Sequence, residues 1–150
     1  MPANAEFHRA TAEDVPELRN FILAFHVEDG HPIQPHVLER ALQAIVQREP
    51  LLHVWIITLA ARAVGYVALA LGYSIEVGGL DAFVDELYVV AEQRGSGVGR
   101  RALVFVEQEA VRLGVRRLCL EVENHNTRAR ALYGEFGYVD HSRHLMAKGL

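Results

Sequence analysis

The chain has 150 residues, of which 51% are hydrophobic and 23% are charged, and its formal net charge is −4. This size and composition predict a single domain spanning residues 1–150, and an acidic chain without a long basic run disfavours nucleic-acid binding. Neither an apolar leader nor an apolar run of about 18 residues is present, so we expect no membrane association and a cytoplasmic location.

The first half of the chain predicts one strand, two helices and two further strands. Residues 6–10 indicate a short strand, and Thr11 with Asp14 offers a capping box for the helix that follows. Gly30 and Pro32 separate two groups of apolar residues at helical spacing, which are Val15, Leu18, Phe21, Ile22 and Phe25, then Leu38, Leu42 and Ile45. The segments LLHVWIITLA and AVGYVALALGYSIEV predict two strands joined by a tight turn.

The second half begins with a third long strand, AFVDELYVV (82–90), whose largely apolar faces predict a central place in the sheet. A glycine-rich loop, a helix ended by Gly114 and a strand over 115–123 follow. The segment NHNTRARALYGEFG predicts a short helix, and YVDHSRHLMAKGL predicts one or two closing strands. The fold class is therefore a mixed α/β (α+β) domain, with a mostly antiparallel central sheet and about four helices.

The glycine-rich loop, AEQRGSGVGRRAL (91–103), carries the strongest functional signal. It lacks the lysine of a Walker loop, and its glycines alternate instead of following the G-x-G-x-x-G spacing of dinucleotide-binding folds. Alternating glycines before a helix expose backbone N–H groups to an anion, and the helix dipole attracts negative charge. The loop therefore predicts a site for a phosphate or pyrophosphate group.

Two motifs resemble those of one known family. VDELYVVAEQRGSGVGRRAL resembles the acetyl-CoA-binding motif of the GNAT superfamily of N-acetyltransferases, with Arg94, Gly97 and Gly99 filling [Q/R]-x-x-G-x-[G/A]. NHNTRARALYGEFGY resembles that superfamily's second motif, N-x-x-A-x-x-x-Y-x-x-x-G-[F/Y]. The residues that fill the second motif are Asn126, Ala129, Tyr133, Gly137 and Tyr138.

This resemblance implies that acetyl-CoA is the acetyl donor. The spacing of the histidines and carboxylates in the polar segments fits no standard metal-ligand motif, so we expect no metal. The resemblance also implies a pantetheine arm along the third long strand, a pyrophosphate on the glycine loop, and further contacts from the second motif. The implied cofactor-binding residues are Leu87, Tyr88, Val89, Arg94, Gly95, Ser96, Gly97, Val98, Gly99, Arg100, Asn126, Ala129 and Tyr133.

Transfer of an acetyl group to an amine needs a base, an oxyanion donor and an acid for the leaving thiolate. The resemblance implies Tyr133 as the acid and the backbone N–H of Val89 as the oxyanion donor. Glu86 is the first choice for the base and Asp85 the second. Because neighbours on a strand point to opposite faces, we expect only one of the two carboxylates to line the pocket.

The expected activity is therefore N-acetylation of a primary amine by its direct attack on the thioester. The alternative is a non-catalytic acyl-CoA-binding regulator with the same fold. The acceptor stays open between a small molecule and a peptide amine, and the resemblance leaves both a monomer and a homodimer open. The substrate-binding candidates lie in two polar segments and are His26, Glu28, Asp29, Tyr73 and Glu76.

Overall fold

The computed structural model describes residues 4–150, and its centre is a five-stranded sheet with strand order β1–β2–β3–β4–β5. The strands are Ala5–Arg9 (β1), Leu52–Leu59 (β2), Arg62–Ser74 (β3), Gly79–Val89 (β4) and Arg117–Cys119 (β5). The helices are Val15–Glu28 (α1), Pro35–Val46 (α2), Val98–Arg112 (α3) and Thr127–Glu135 (α4). β1 to β4 pair antiparallel and β5 pairs parallel to β4, which confirms the predicted fold class.

The predicted capping box forms at a 3-10 turn, Ala12–Asp14, which leads directly into α1, and the predicted start of α2 is confirmed. The backbone N–H of Thr11 donates to Asp14 Oδ2 at 2.8 Å, as the capping box requires, and Pro35 is the first residue of α2. Within residues 4–150, none of the helices is both long and apolar enough to cross a membrane.

The two faces of the sheet are buried by different helices. α1 and α2 cover one face, where Leu18, Phe21, Leu38 and Leu42 pack in one cluster with Tyr66 of β3. α3 covers the other face, where buried side chains form two further clusters. The first consists of Trp55, Val67, Leu69, Ala82, Val106 and Ala110, and the second of Ile57, Val64, Val89, Val98 and Ala102. Burial of apolar surface on both faces fixes the orientation of β4 between the two helical layers.

A β-bulge interrupts β4 at Asp85. Ala68 of β3 lies opposite Glu86, while the next residue, Leu69, lies opposite Val84, so Asp85 is the extra residue. β4 pairs with β3 on one side and with β5 on the other, so it is an interior strand of the sheet, as predicted, next to the middle strand β3.

The C-terminal part of the sheet is smaller than the sequence predicts. β5 covers only Arg117–Cys119 of the predicted 115–123, and residues 138–150 form no strand, so the prediction of closing strands is wrong. Asp140 Oδ1 accepts from the backbone N–H of Ser142, whose φ is 51°, and this turn is incompatible with a continuous strand. The strand β5 itself stops opposite Phe83, next to the bulge that bends β4.

Candidate active site

Glu86 lies at the centre of a hydrogen-bonded group on the face of β4 that α1 covers. Tyr66 Oη donates to Glu86 Oε1 at 2.7 Å, and His26 Nε2 lies 2.7 Å from Glu86 Oε2. The Glu86 side chain retains 18% of its exposure. Desolvation by burial raises the pKa of its carboxyl, although the hydrogen bond from Tyr66 and the charge of His26 act against the rise. A carboxyl tuned upward in this way is suited to act as a base near neutral pH.

His26 is oriented by acceptors at both ring nitrogens. Its Nδ1 lies 3.3 Å from the backbone oxygen of His31, opposite the contact between Nε2 and Glu86. When Nδ1 donates to that carbonyl, the hydrogen bond between His26 and Glu86 requires a proton on either Nε2 or Oε2. His26 and Glu86 can therefore share a proton.

Asp85 faces the same pocket as Glu86, which contradicts the expectation that the two carboxylates point to opposite faces. The physical reason is the bulge, since the extra residue breaks the strict alternation of side chains along β4. Asp85 is exposed at the rim of the pocket, and the partial desolvation there raises the pKa of its carboxyl. Within residues 4–150 its side chain has no hydrogen bond or ion pair.

The pocket is a cavity of about 80 Å³ between α1, α2 and the sheet. Its polar end is formed by His26, Tyr66, Asp85 and Glu86. Its walls are apolar and include Ile22, Ile33, Ala41, Ile45, Leu52 and Val54. The site therefore joins two carboxylates to a small aliphatic space.

The glycine loop ends in the first turn of α3. Gly97, with φ 85°, is the N-cap residue, and no side chain caps the helix. The first intrahelical bond runs from the N–H of Arg101 to the oxygen of Gly97, so the N–H groups of Val98, Gly99 and Arg100 have no intrahelical acceptor. A Cβ added at Gly95, Gly97 or Gly99 would meet no atom within 4 Å. Open space next to unpaired N–H groups fits a pyrophosphate.

The polar side chains of the loop are bonded within the protein. Arg94 donates through Nε to the backbone oxygen of Val89 at 2.8 Å and pairs with Glu28 of α1 at 2.8 Å. Ser96 donates to the oxygen of Gln93. These contacts hold the loop against α1 and the end of β4, so its backbone is oriented before any ligand binds.

The backbone of Val89 faces the open edge of β4. The neighbouring Val90 donates its N–H to Val64 of β3, and residues along a strand alternate in the edge that their N–H groups face. The N–H of Val89 therefore points away from β3, on the side where pairing with β5 has ended at Phe83. Gly65 of β3 is needed for this approach of the strands, because a Cβ there would collide with the backbone oxygen of Tyr88.

Tyr133 lies on α4, where its ring packs edge-on against Tyr138 at 5.9 Å between centroids. Desolvation by burial raises the pKa of its phenol, so the hydroxyl keeps its proton at neutral pH. Within the described residues that hydroxyl has no hydrogen-bond partner. Arg100 pairs with Glu135 at 2.8 Å and so links α4 to the first turn of α3.

The second-motif residue Asn126 has a structural role at the start of α4. Its Oδ1 accepts from the backbone N–H of Ala129 at 3.1 Å, which makes it the helix N-cap. Leu87 and Tyr88 lie on β4, and Tyr88 packs in the core against Phe21.

The substrate-binding candidates separate into two places. His26 and Glu28 lie in the last turn of α1 beside the pocket and the loop, and Asp29 follows them. Tyr73 and Glu76 lie at the β3–β4 hairpin, about 20 Å along the strand from Glu86. Glu76 pairs there with Arg117, which lowers the pKa of its carboxyl.

Sequence reasoning missed Tyr66, which lies 20 positions before its partner Glu86 and belongs to no local motif. Among residues 4–150, no group of three or more His, Cys, Asp or Glu side chains is arranged to hold a metal ion.

The chain is similar to known acetyltransferases. The family model described as acetyltransferase (GNAT) family matches residues 15–138. The uncharacterized N-acetyltransferase YycN of Bacillus subtilis is 35% identical over 60 residues, which are 40% of this chain and 38% of that protein. The match thus spans under half the length of this curated relative.

Two solved structures share the fold over nearly the whole chain. The integron cassette protein HFX_CASS3, from the mobile metagenome of Cole Harbour Salt Marsh, is 33% identical with a TM-score of 0.82, covering 96% of this chain and 90% of that one. A predicted acetyltransferase from Clostridium acetobutylicum, solved with acetyl-CoA, is 16% identical with a TM-score of 0.78. The match covers 97% of this chain and 96% of that one. The family match covers most of the chain, and the protein therefore belongs to the acetyltransferase (GNAT) family.

Proposed function

We propose that this protein is an acetyl-CoA-dependent N-acetyltransferase that transfers an acetyl group to a primary amine by direct attack on the thioester. The observation that carries the proposal is the Glu86 carboxylate, held between Tyr66 and His26 at the polar end of the pocket. It lies on the strand that runs into a glycine loop with unpaired N–H groups.

Acetyl-CoA would bind through its pyrophosphate at the N–H groups of Val98, Gly99 and Arg100, and it supplies an activated acetyl group. The three N–H groups and the positive end of α3 stabilise the phosphate charge. Leu87 and Val89 offer backbone groups on the open edge of β4 for the amides of the pantetheine arm.

Glu86 accepts the proton that the amine must lose before nitrogen can attack, because an ammonium has no lone pair. Attack of the neutral nitrogen forms the N–C bond and a tetrahedral intermediate, and collapse of this intermediate breaks the C–S bond while the nitrogen releases its second proton to solvent. The N–H of Val89 donates to the oxygen that becomes negative at the carbonyl carbon. Tyr133 gives its proton to the departing sulfur, and a phenol with a raised pKa is protonated and ready for that step.

The test is thiol release from acetyl-CoA with a panel of primary amines, together with direct measurement of acetyl-CoA binding. Turnover with at least one amine class, reduced by Glu86→Gln and Tyr133→Phe, is the expected result. Tight acetyl-CoA binding without turnover on a broad panel would instead identify a non-catalytic acyl-CoA-binding regulator.

A further inference from the structure

The aliphatic pocket beside Glu86 has a size and shape that limit the acceptor. Its volume of about 80 Å³ corresponds to roughly six water-sized groups. An unbranched chain of about four to six heavy atoms fills such a space, whereas an aminosugar ring or a peptide backbone does not fit inside it.

The walls of the pocket favour a chain without polar atoms. Ile33, Ile45 and Leu52 line it, and Ala41 of α2 leaves room between them. A hydroxyl or carboxylate on the buried part of the acceptor would find no hydrogen-bond partner against these side chains. Methylene groups would instead be removed from water, with a gain of about fourfold in kcat/KM for each one.

The charges at the polar end favour a cation. Glu86 has both oxygens bonded, to Tyr66 and His26, while Asp85 stands at the rim without a partner among the described residues. An ammonium group at the rim would pair with Asp85 and lie next to Glu86. A carboxylate on the carbon that bears the amine would face both acidic side chains and be repelled.

We infer that the acceptor is a short, unbranched aliphatic primary amine without a carboxylate, with its chain in this pocket and its nitrogen between Asp85 and Glu86. This inference rests on the proposed N-acetyltransferase activity. It narrows the acceptor to one chemical class and excludes amino acids, aminosugars and peptide N-termini as good substrates.

The first experiment compares acceptors that differ in one feature. n-Pentylamine and norleucine share the same chain, and norleucine adds only the carboxylate beside the amine. We expect kcat/KM for n-pentylamine to exceed that for norleucine by at least about thirtyfold, and Asp85→Asn to narrow the difference. A peptide N-terminus and an aminoglycoside complete the panel and are expected to be poor acceptors.

The second experiment fills the pocket. Ala41→Leu adds a side chain at the wall, and Ala44→Leu makes the same change on the same helix outside the pocket. We expect Ala41→Leu to raise KM for n-pentylamine about tenfold, while its acetyl-CoA affinity, thermal unfolding and turnover of ethylamine match those of Ala44→Leu.

The outcomes separate the two proposals. Efficient acetylation of norleucine, the peptide or the aminoglycoside in preference to alkylamines would overturn the inference and leave the acetyltransferase activity intact. Equal alkylamine kinetics in Ala41→Leu and Ala44→Leu would also overturn it. Absence of turnover with every amine would overturn the proposed function and, with it, this inference.

Discussion

Nε2 of His26, in the last turn of helix α1, lies 2.7 Å from Oε2 of Glu86, on strand β4. The two residues are 60 positions apart, and their contact connects the helical layer to the carboxylate that we propose as the base. The same end of α1 carries Glu28, which pairs with Arg94 of the glycine loop at 2.8 Å. One end of a helix therefore touches both the proposed base and the proposed cofactor loop.

His26→Gln should move the acidic limb of the pH–rate profile to higher pH. The positive charge of His26 lowers the pKa of Glu86 against the effect of burial, and glutamine keeps a donor but loses the charge. We expect the midpoint of the limb in kcat/KM to rise, because the charge that lowers the pKa of Glu86 is removed. His53→Gln, at a half-buried histidine bonded to Arg9, is the control and should leave the midpoint unchanged. Equal profiles for the two variants would contradict a role for His26 in tuning the base.

Asp85→Asn should move the same limb in the opposite direction. The negative charge of Asp85 raises the pKa of Glu86, so its removal makes Glu86 easier to ionise. The midpoint of kcat/KM against pH is expected to fall, with the limb retained. If the limb disappears in Asp85→Asn and survives in Glu86→Gln, then Asp85 is the base and our assignment is reversed.

Glu86→Gln should lower kcat by about 100- to 1,000-fold and abolish the acidic limb, as expected for loss of a general base. It should also stabilise the fold at high pH relative to the wild type. Because the folded-state pKa of Glu86 is raised, the folded protein binds more protons than the unfolded chain between the ordinary and the raised pKa, and its stability falls as pH rises through that window. Urea unfolding at pH 4 and pH 8 measures how the free energy of unfolding changes with pH, and the variant should lack the decrease that Glu86 causes.

Tyr133→Phe should reduce kcat about 100-fold while leaving the dissociation constant of acetyl-CoA nearly unchanged, because only the proton donor is removed. Tyr138→Phe is the matched control, since burial raises the pKa of Tyr138 to about 12 and its ring packs against Tyr133. Steady-state kinetics and calorimetric binding separate the two effects. Similar losses of kcat in both variants would show that packing of the ring pair, and not the Tyr133 hydroxyl, supports turnover.

Gly97→Ala should weaken acetyl-CoA binding about tenfold, because the added methyl would occupy the open space beside the unpaired N–H groups of α3. The left-handed backbone at this position, with φ 85°, adds a stability cost of about 1–2 kcal/mol. Gly114→Ala, at φ 82° and at the other end of α3, shares that cost without the proposed contact. If the two variants have similar unfolding temperatures and also bind acetyl-CoA with equal affinity, the assignment of the loop to the cofactor is refuted.

Local patterns in the sequence predict the elements that local forces determine. Thr11 and Asp14 form a capping box within four residues, and the alternating glycines that precede α3 indicate an uncapped helix start. The closing strands were wrongly predicted, because a strand over 138–150 needs a partner that sequence alone does not supply, and Asp140 with Ser142 forms a turn there.

The site depends on pairings that no local pattern encodes. Tyr66 and His26 reach Glu86 only because β3 and α1 pack against β4. One signal of the bulge is nevertheless present in the sequence of β4. Before the bulge, the apolar residues that face α3 have even numbers (Ala82 and Val84). After it, they have odd numbers (Leu87 and Val89), and the two charged residues Asp85 and Glu86 lie between the two pairs.

The extra residue in β4 makes the effect of a deletion depend on which position of the strand is removed. Deletion of Asp85 would restore regular alternation and leave every other side chain on its face, because Val84 and Glu86 already lie opposite consecutive residues of β3. The fold should therefore tolerate both substitution and deletion of Asp85, whereas deletion of its neighbour Val84 would turn Asp85 toward α3 and should not be tolerated. The expression levels of variants that each lack one residue of β4 would show this difference without any measurement of catalysis.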